Sequence, residues 1–561
     1  MFEPTPQRSI RNAAKNRSSL RFVTFWRSRL RILSLVLLCC LLLISCSRFT
    51  PESSRSVVGN RVVLGTTSKI STLDPADAYG TFVGTLLYNL SDRLYTYKLG
   101  SNDLQPQLAT ALPTVSADGL TYTIPLRRGV VFHDGTPFNA AAMAFSLNRF
   151  IQNEGSPSFL LSEVDSVNAT ADYELTIKLK KPFAAFPALL AFSGICAVSP
   201  NAYKIEAGVF QPETFVGTGP YKLTRYGTDF LRLDAFDQYW GEKPVNQGID
   251  IQFFSSPGNL FNAFRTGAVD LAYQGLATEQ IHTLEKDKHA AGWQIIAKSG
   301  SGIDVLTLNL NSAPLDRLEV RQAIAAIMDR PLLQERVFQG QIEPLYSLIP
   351  STLDVQKSVF QQRYGDRNVA KATALLEQAG YSHGNPLKLE FWYRSNLVND
   401  QLAAITLKAI TRKSLNGLLQ FDLRSVESTT AYNNLDKGVY PMILLDWSPD
   451  FFDADNYIEP FLKCSKGSPK TGCEEGASYL WGSFYYSDRA NQLIDQSRQE
   501  QNPDQRQQLF AELQDLLAAD VPFIPLWQNK DYLFAQKGIQ GVSLEVTQKV
   551  PFWTVQKSQQ S

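Results

Sequence analysis

The chain of 561 residues carries 54 basic and 54 acidic side chains, so it lacks the cationic surplus on which nucleic-acid binding draws. With 44% hydrophobic and 19% charged residues it has a globular composition, which excludes a disordered or fibrous chain. Its length exceeds what one hydrophobic core usually supports, and two or three domains are expected.

The first 45 residues read as a leader. Arg21, Arg27, Arg29 and Arg31 precede Ile32–Ile44, an apolar run broken only by Ser34. Crossing a hydrocarbon core takes about 20 apolar residues, so this shorter run fits the h-region of a signal peptide. It ends Leu43-Ile44-Ser45-Cys46, which resembles a bacterial lipobox, where the Cys is acylated and becomes the first mature residue. The expectation is a signal peptide with an N-terminal extension at 1–45 and a lipidated tether at 46–60. The protein would then be held to a membrane on the extracytoplasmic, periplasmic side. Removing the leader takes 8 of the 54 basic residues and Glu3, leaving 46 against 53 and a net charge of −7.

Four cysteines remain after processing: Cys46, Cys196, Cys464 and Cys473. Cys464 and Cys473 bracket one polar loop, and export permits a disulfide there. Zinc is the weaker alternative, since no His lies near the pair and a structural zinc takes four N or S ligands. Cys196 sits in the apolar run Leu189–Val198 and is expected as a small buried hydrophobe.

Along the body, Arg61–Gly65 is a short strand-type run, and Thr121–Leu126 and Tyr173–Leu179 alternate as strands do. Asn139 can cap a helix over 139–150, whose Met143, Leu147 and Phe150 recur at helical spacing. A short helix at Leu260–Arg265 can end at Gly267, with a strand at Val269–Tyr273 after it. Val320–Met328 reads as helix, with Asp329-Arg330-Pro331 stopping it and starting the next. Pro503–Asp520 is the clearest amphipathic helix, with Leu509, Leu513, Leu516 and Leu517 forming a core-facing stripe. Val521–Trp527 follows as a buried, Pro-limited extended segment. Interleaved strands and helices make the class α/β.

Few residues in the chain carry a catalytic pattern. The sequence has no G-x-S-x-G elbow, no phosphate-binding P-loop and no H-E-x-x-H, and its four His show no metal-ligand spacing. What stands out is a series of strings without catalytic groups. These are Arg127–Pro137 (RRGVVFHDGTP), Asp172–Leu190, Phe215–Lys222 (FVGTGPYK), Tyr239–Pro244 (YWGEKP), Ala263–Asp270 and Val320–Arg330. Each resembles a string of the oligopeptide/dipeptide-binding family of ABC-importer solute receptors (bacterial family 5), and they occur in that family's order from about Val62 to about Leu544. The strings themselves read as scaffold. Gly135, Gly217 and Gly219 are expected at turns or close backbone approaches, His133 as a hydrogen-bonded turn residue, and Trp240 as packing.

The resemblance implies a bilobed α/β periplasmic-binding-protein fold of the large three-domain type, with a hinge and an interlobe ligand cleft. Lobe I would be discontinuous (58–90, 205–305 and 520–561), an additional domain would span 91–204, and lobe II 306–519. It implies a binding protein, not an enzyme, that captures short peptides and delivers them to an ABC permease and its ATPase subunits. The protein would act as a monomer, without cofactor or metal.

In peptide-binding members an Asp in a Trp-x-x-Asp string meets the ligand's α-amino group; here the string is Trp447-Ser-Pro-Asp450, with Asp446 and Asp453 as near alternatives. Arg394 resembles the Arg that takes a dipeptide's carboxylate. Tyr79, Gly80 and Thr81 fall where backbone groups pair with an extended ligand. Relatives of the family take oligosaccharides, opines or metal chelates, and these stay open as ligands. An exported hydrolase is a further alternative, although no nucleophile–base pair is visible.

Overall fold

The structure is a computed structural model and describes residues 60–558. The leader and Cys46 lie outside the described residues, and with them the expected lipidation. Among the described residues no helix is long and apolar enough to cross a membrane.

An eleven-stranded mixed sheet runs through the whole body. Its strands, in chain order, are β1 (Arg61–Thr66), β2 (Tyr221–Tyr226), β3 (Phe230–Ala235), β4 (Gly248–Phe253), β5 (Leu271–Tyr273), β6 (Gln294–Leu308), β7 (Ile342–Pro344), β8 (Leu387–Arg394), β9 (Leu419–Val426), β10 (Met442–Trp447) and β11 (Phe523–Ala535). They lie in the order β9-β8-β10-β6-β11-β5-β1-β4-β3-β2, with β7 added to β11. The long strands β6 and β11 pair antiparallel over most of their lengths and join the two halves of the sheet. Their register slips between Ser299 and Ile303, a stretch containing Gly300 and Gly302. A Cβ at Gly300 would come 2.7 Å from the Asp531 carboxylate on β11, so this crossing is too tight for a side chain.

Three main cores pack around this frame. One gathers Val305, Leu306, Phe391, Leu444, Leu513 and Trp527 with their neighbours. A second is built from Val62, Leu86, Leu231, Ile251 and Phe552. The third fills the segment between residues 94 and 197, where a four-stranded sheet packs on helix α2 (Ala140–Gln152), and it takes in Phe451 from the far half. Helix α1 (Thr81–Leu90) is buried from its second residue onward.

Local signals behave as their chemistry requires. The Asn139 side chain accepts from the Ala142 N–H at 2.9 Å and starts α2. Asn502 caps helix α3 (Pro503–Asp520) in the same way. The buried stripe of α3 is centred on Phe510, Leu513, Gln514 and Leu517, while Leu509 and Leu516 lie at its edge. The shift follows from Gln514, a polar residue drawn inward because its amide is matched by Ser347, Val355 and Phe510.

The family-like strings converge on scaffold. Thr218, Tyr239 and Trp240 all donate to the buried Asp92 carboxylate, at 3.0, 3.0 and 2.9 Å. Gly219 is needed because a Cβ there would sit 2.5 Å from the backbone at Leu90 and Ser91. His133 accepts from Gly217 N–H at Nδ1 and donates from Nε2 to Gly219 O. Burial pushes its imidazole down to about 4, which fits a neutral structural role. Cys196 is buried and free, and a disulfide joins Cys464 to Cys473, which lies in the second strand of a small hairpin, Lys466–Ser468 with Gly472–Glu475. Among the described residues no His, Cys, Asp and Glu group is arranged to hold a metal.

Candidate ligand-binding site

The body holds a cavity of about 450 Å³. Its walls come from Tyr79–Thr81 before and at the start of α1, from Tyr97, from Phe192 and Ser193, from residues 446–452 at the end of β10 and just beyond it, and from residues between 545 and 549 near the C-terminus. Small-molecule sites typically measure roughly 300–1,000 Å³, so this is a compact one.

Strand β10 is buried between β6 and β8, in a run of Met, Ile and Leu, and it delivers Asp446, Trp447 and then Asp450 to the cavity. In open α/β sheets ligands bind beyond the carboxyl ends of strands, and this is such a place. Trp447 is fixed by its indole N–H, which donates to Asn456 O at 2.8 Å, and by edge contacts with Phe461 and Trp481. The Asn456 side chain in turn accepts from the Asp450 N–H at 2.7 Å.

The three carboxylates expected near the site prove very different. Asp453 forms a two-pronged pair with Arg506 at 2.7 Å on both oxygens. Asp446 is paired with Arg394 and also accepts from Tyr432 at 3.1 Å. Asp450 has no cationic partner among the described residues. Its carboxylate accepts from the Tyr79 hydroxyl, which reaches it across the cavity. Burial pushes Asp450 up to about 6, against the pull of the Tyr79 and Asn456 hydrogen bonds. Tyr79 is half exposed at the cavity mouth, braced edge-on by Phe159, and its phenol is raised by burial and by Asp450.

Arg394 differs from the expectation drawn from its resemblance. It is 3% exposed, does not line the cavity, and spends its guanidinium on Asp400 at 2.9 Å and on Asp446. The cause is charge balance. Asp304, paired in register with Asp446, adds a third carboxylate to the neighbourhood of one cation. Burial opposes the charge on Arg394, but Asp446 and Asp400 outweigh it and hold it in its charged form. Burial pushes Asp400 up to about 6 despite Arg394, and raises Asp304 well above the usual carboxylate range, with Asp446 and Asp400 adding to the effect.

The family-like strings point to Tyr79, Gly80, Thr81, Trp447 and Asp450, and the structure places all five on the cavity wall. They missed Phe192, Tyr432, Trp481, Glu545 and Lys549, which arrive from four distant segments. Glu545 is held by the Gly100 N–H and the Ser543 hydroxyl. Lys549 lies in a stretch with no motif, and only its charge among neutral neighbours could have marked it.

A cavity in a bilobed α/β body, walled by aromatics and by ionisable groups such as Asp450 that lack an ion-pair partner among the described residues, is the kind of site that takes up a solute. The chain belongs to the bacterial extracellular solute-binding proteins of family 5, whose model matches residues 103–469. Family members are extracytoplasmic and deliver their ligands to ABC importers. The glutathione-binding protein GsiB of Escherichia coli O1:K1 is 28% identical over 509 residues, covering 87% of this chain and 93% of that one. In fold the body is similar to HbpA2 from Haemophilus parasuis, with TM-score 0.77 and 22% identity over 89% of this chain and all of the other. It is likewise similar to DppA from Helicobacter pylori in complex with the peptide STSA, with TM-score 0.70 and 23% identity over 89% and 98%.

Proposed function

We propose that this ABC-importer binding protein captures short peptides with a free α-amino group, and that Asp450 receives that group. The observation that carries the reading is the contrast among neighbouring acids: Asp446 and Asp453 are neutralised by arginines, whereas Asp450 is desolvated and has only neutral hydrogen-bond partners. A half-buried carboxylate in that state gains most from an incoming ammonium. The relative's ligand supports it, since glutathione is itself a tripeptide.

Tyr79 and Asp450 come from opposite sides of the cavity, and a ligand amine would share the carboxylate with the phenol. Contacts to both sides exist only when the halves are close, so ligand stabilises the closed form. The hinge is the β6–β11 crossing at Gly300 and Gly302. Lobe I then comprises 58–90, 205–305 and 520–561, with 91–204 as the additional domain and 306–519 as lobe II. Cys46 carries the lipid that keeps the protein at the membrane beside its permease.

Native mass spectrometry of protein purified without refolding tests the ligand class. Co-purified masses in the di- to tetrapeptide range are expected. A sugar, opine or metal chelate in the cavity would replace the peptide reading.

A further inference from the structure

We propose that Lys549 receives the ligand's carboxylate, so that the cavity is built for a zwitterion: a short peptide with both termini free. This rests on the peptide reading above and adds the second anchor that Arg394 does not supply.

Among the described residues of the cavity wall, Lys549 is the one cationic side chain. An ammonium has three protons to donate. That of Lys549 makes a single hydrogen bond, long at 3.4 Å, to the Thr81 carbonyl. No carboxylate lies within ion-pair distance of it among the described residues. Glu545, on the same wall, is engaged by Gly100 and Ser543, and Asp531 is engaged by the Gln548 amide at 3.1 Å. Burial accordingly pushes the ammonium down to about 8, with Asp531 only partly restoring it. A cation in that condition is short of an anion.

The seat is also shaped. A Cβ at Gly84 of α1 would stand 2.8 Å from the Lys549 Nζ and 3.8 Å from the Ser193 hydroxyl, so glycine leaves the room the ammonium occupies. The backbone around Lys549 is pinned on both sides. Tyr273 donates to Gln548 O at 2.5 Å, Glu545 N–H donates to Lys549 O at 2.8 Å, and Asn89 donates to Val550 O at 2.9 Å. A flexible surface lysine has none of this support. The compact volume agrees with a ligand short enough for its two ends to reach Asp450 and Lys549 in one chamber.

The test uses an equimolar pool of tripeptides randomised at every position, prepared with free termini, N-acetylated and C-amidated. Apparent affinities are read by native mass spectrometry on wild type and on Lys549→Met. Amidation is expected to weaken binding to wild type at least tenfold. Lys549→Met should weaken the free pool by a similar factor and leave the amidated pool unchanged. If the amidated pool binds wild type within twofold of the free pool while acetylation weakens it, the peptide reading stands and the Lys549 assignment falls. Equal loss of the free and amidated pools in the variant would make Lys549 a structural counter-charge and overturn the proposal. No uptake of any pool by wild type overturns both readings. Should Lys549→Met fail to fold, the wild-type comparison of free and amidated pools decides alone.

Discussion

Two charged residues stand at the ends of neighbouring strands, and the body treats them in opposite ways. Arg394, closing β8, is sealed among Asp400, Asp446 and Asp304, so its charge is consumed by the fold. Asp450, just beyond β10, is desolvated by nearly as crowded surroundings but is given only a phenol and an amide. Both look alike in sequence, as a charge after an apolar strand. The difference teaches that a binding group is recognised by the partner it lacks, and that partners are supplied by segments far away in the chain.

The largest effect should come from breaking the satisfied side. Arg394→Met leaves three carboxylates facing one another without a cation, and losing one member of a buried pair costs about 3–5 kcal/mol. Urea denaturation at pH 7.5 should show that loss, shrinking toward pH 5 as Asp400 and Asp304, both raised, take up protons. Unchanged stability at pH 7.5 would mean that the fold does not rely on this cation.

The disulfide serves as a control remote from both charges. It closes a loop of ten residues, counted from Cys464 to Cys473 inclusive, and replacing both Cys by Ser should cost about 2–3 kcal/mol in the loop-entropy model. Peptide affinity of the folded variant should be unaltered. A parallel loss of affinity would tie the hairpin to the cavity.

The smallest effect concerns the unsatisfied side itself. Asp450 is raised from its ordinary range to about 6, so the folded state binds its proton more tightly than the unfolded chain does. Its charge therefore costs stability above pH 6, and that cost is relieved as pH falls from 6 toward 4. Asp450→Asn should make the ligand-free protein more stable by about 1 kcal/mol at pH 7.5, after discounting for partial exposure, with the gain vanishing near pH 4. Peptide affinity of wild type has the opposite sign and should fall as pH drops through 6, because the ammonium needs the ionised carboxylate. Thermal unfolding and calorimetry across pH 4.5–8 check the pair of trends.

Much of the frame was legible in the sequence because its causes are local. The Asn139 cap, the Pro503 start of α3 and the alternation of Thr121–Pro125 each depend on a few adjacent residues. Asp450 could be reached through its Trp447 string. Arg394 could not be settled, since its fate is fixed by Asp400 and by Asp446, the latter 52 residues away. Lys549 was invisible for the same reason, because its seat is formed by Gly84 and Thr81, more than 460 residues earlier. The inward Gln514 is a further case, its polarity explained only by partners at 347 and 355.

The central claim is that Asp450 waits for the ligand's ammonium, and calorimetry on wild type and Asp450→Ala with free and N-acetylated tripeptide pools tests it most directly. Leaving a buried charge unpaired costs about 3–5 kcal/mol, so the variant should bind the free pool at least about a hundredfold more weakly while remaining folded. Acetylation should weaken wild type to a similar degree and make little further difference to the variant. If neither the substitution nor acetylation changes affinity, the amine anchor is wrong.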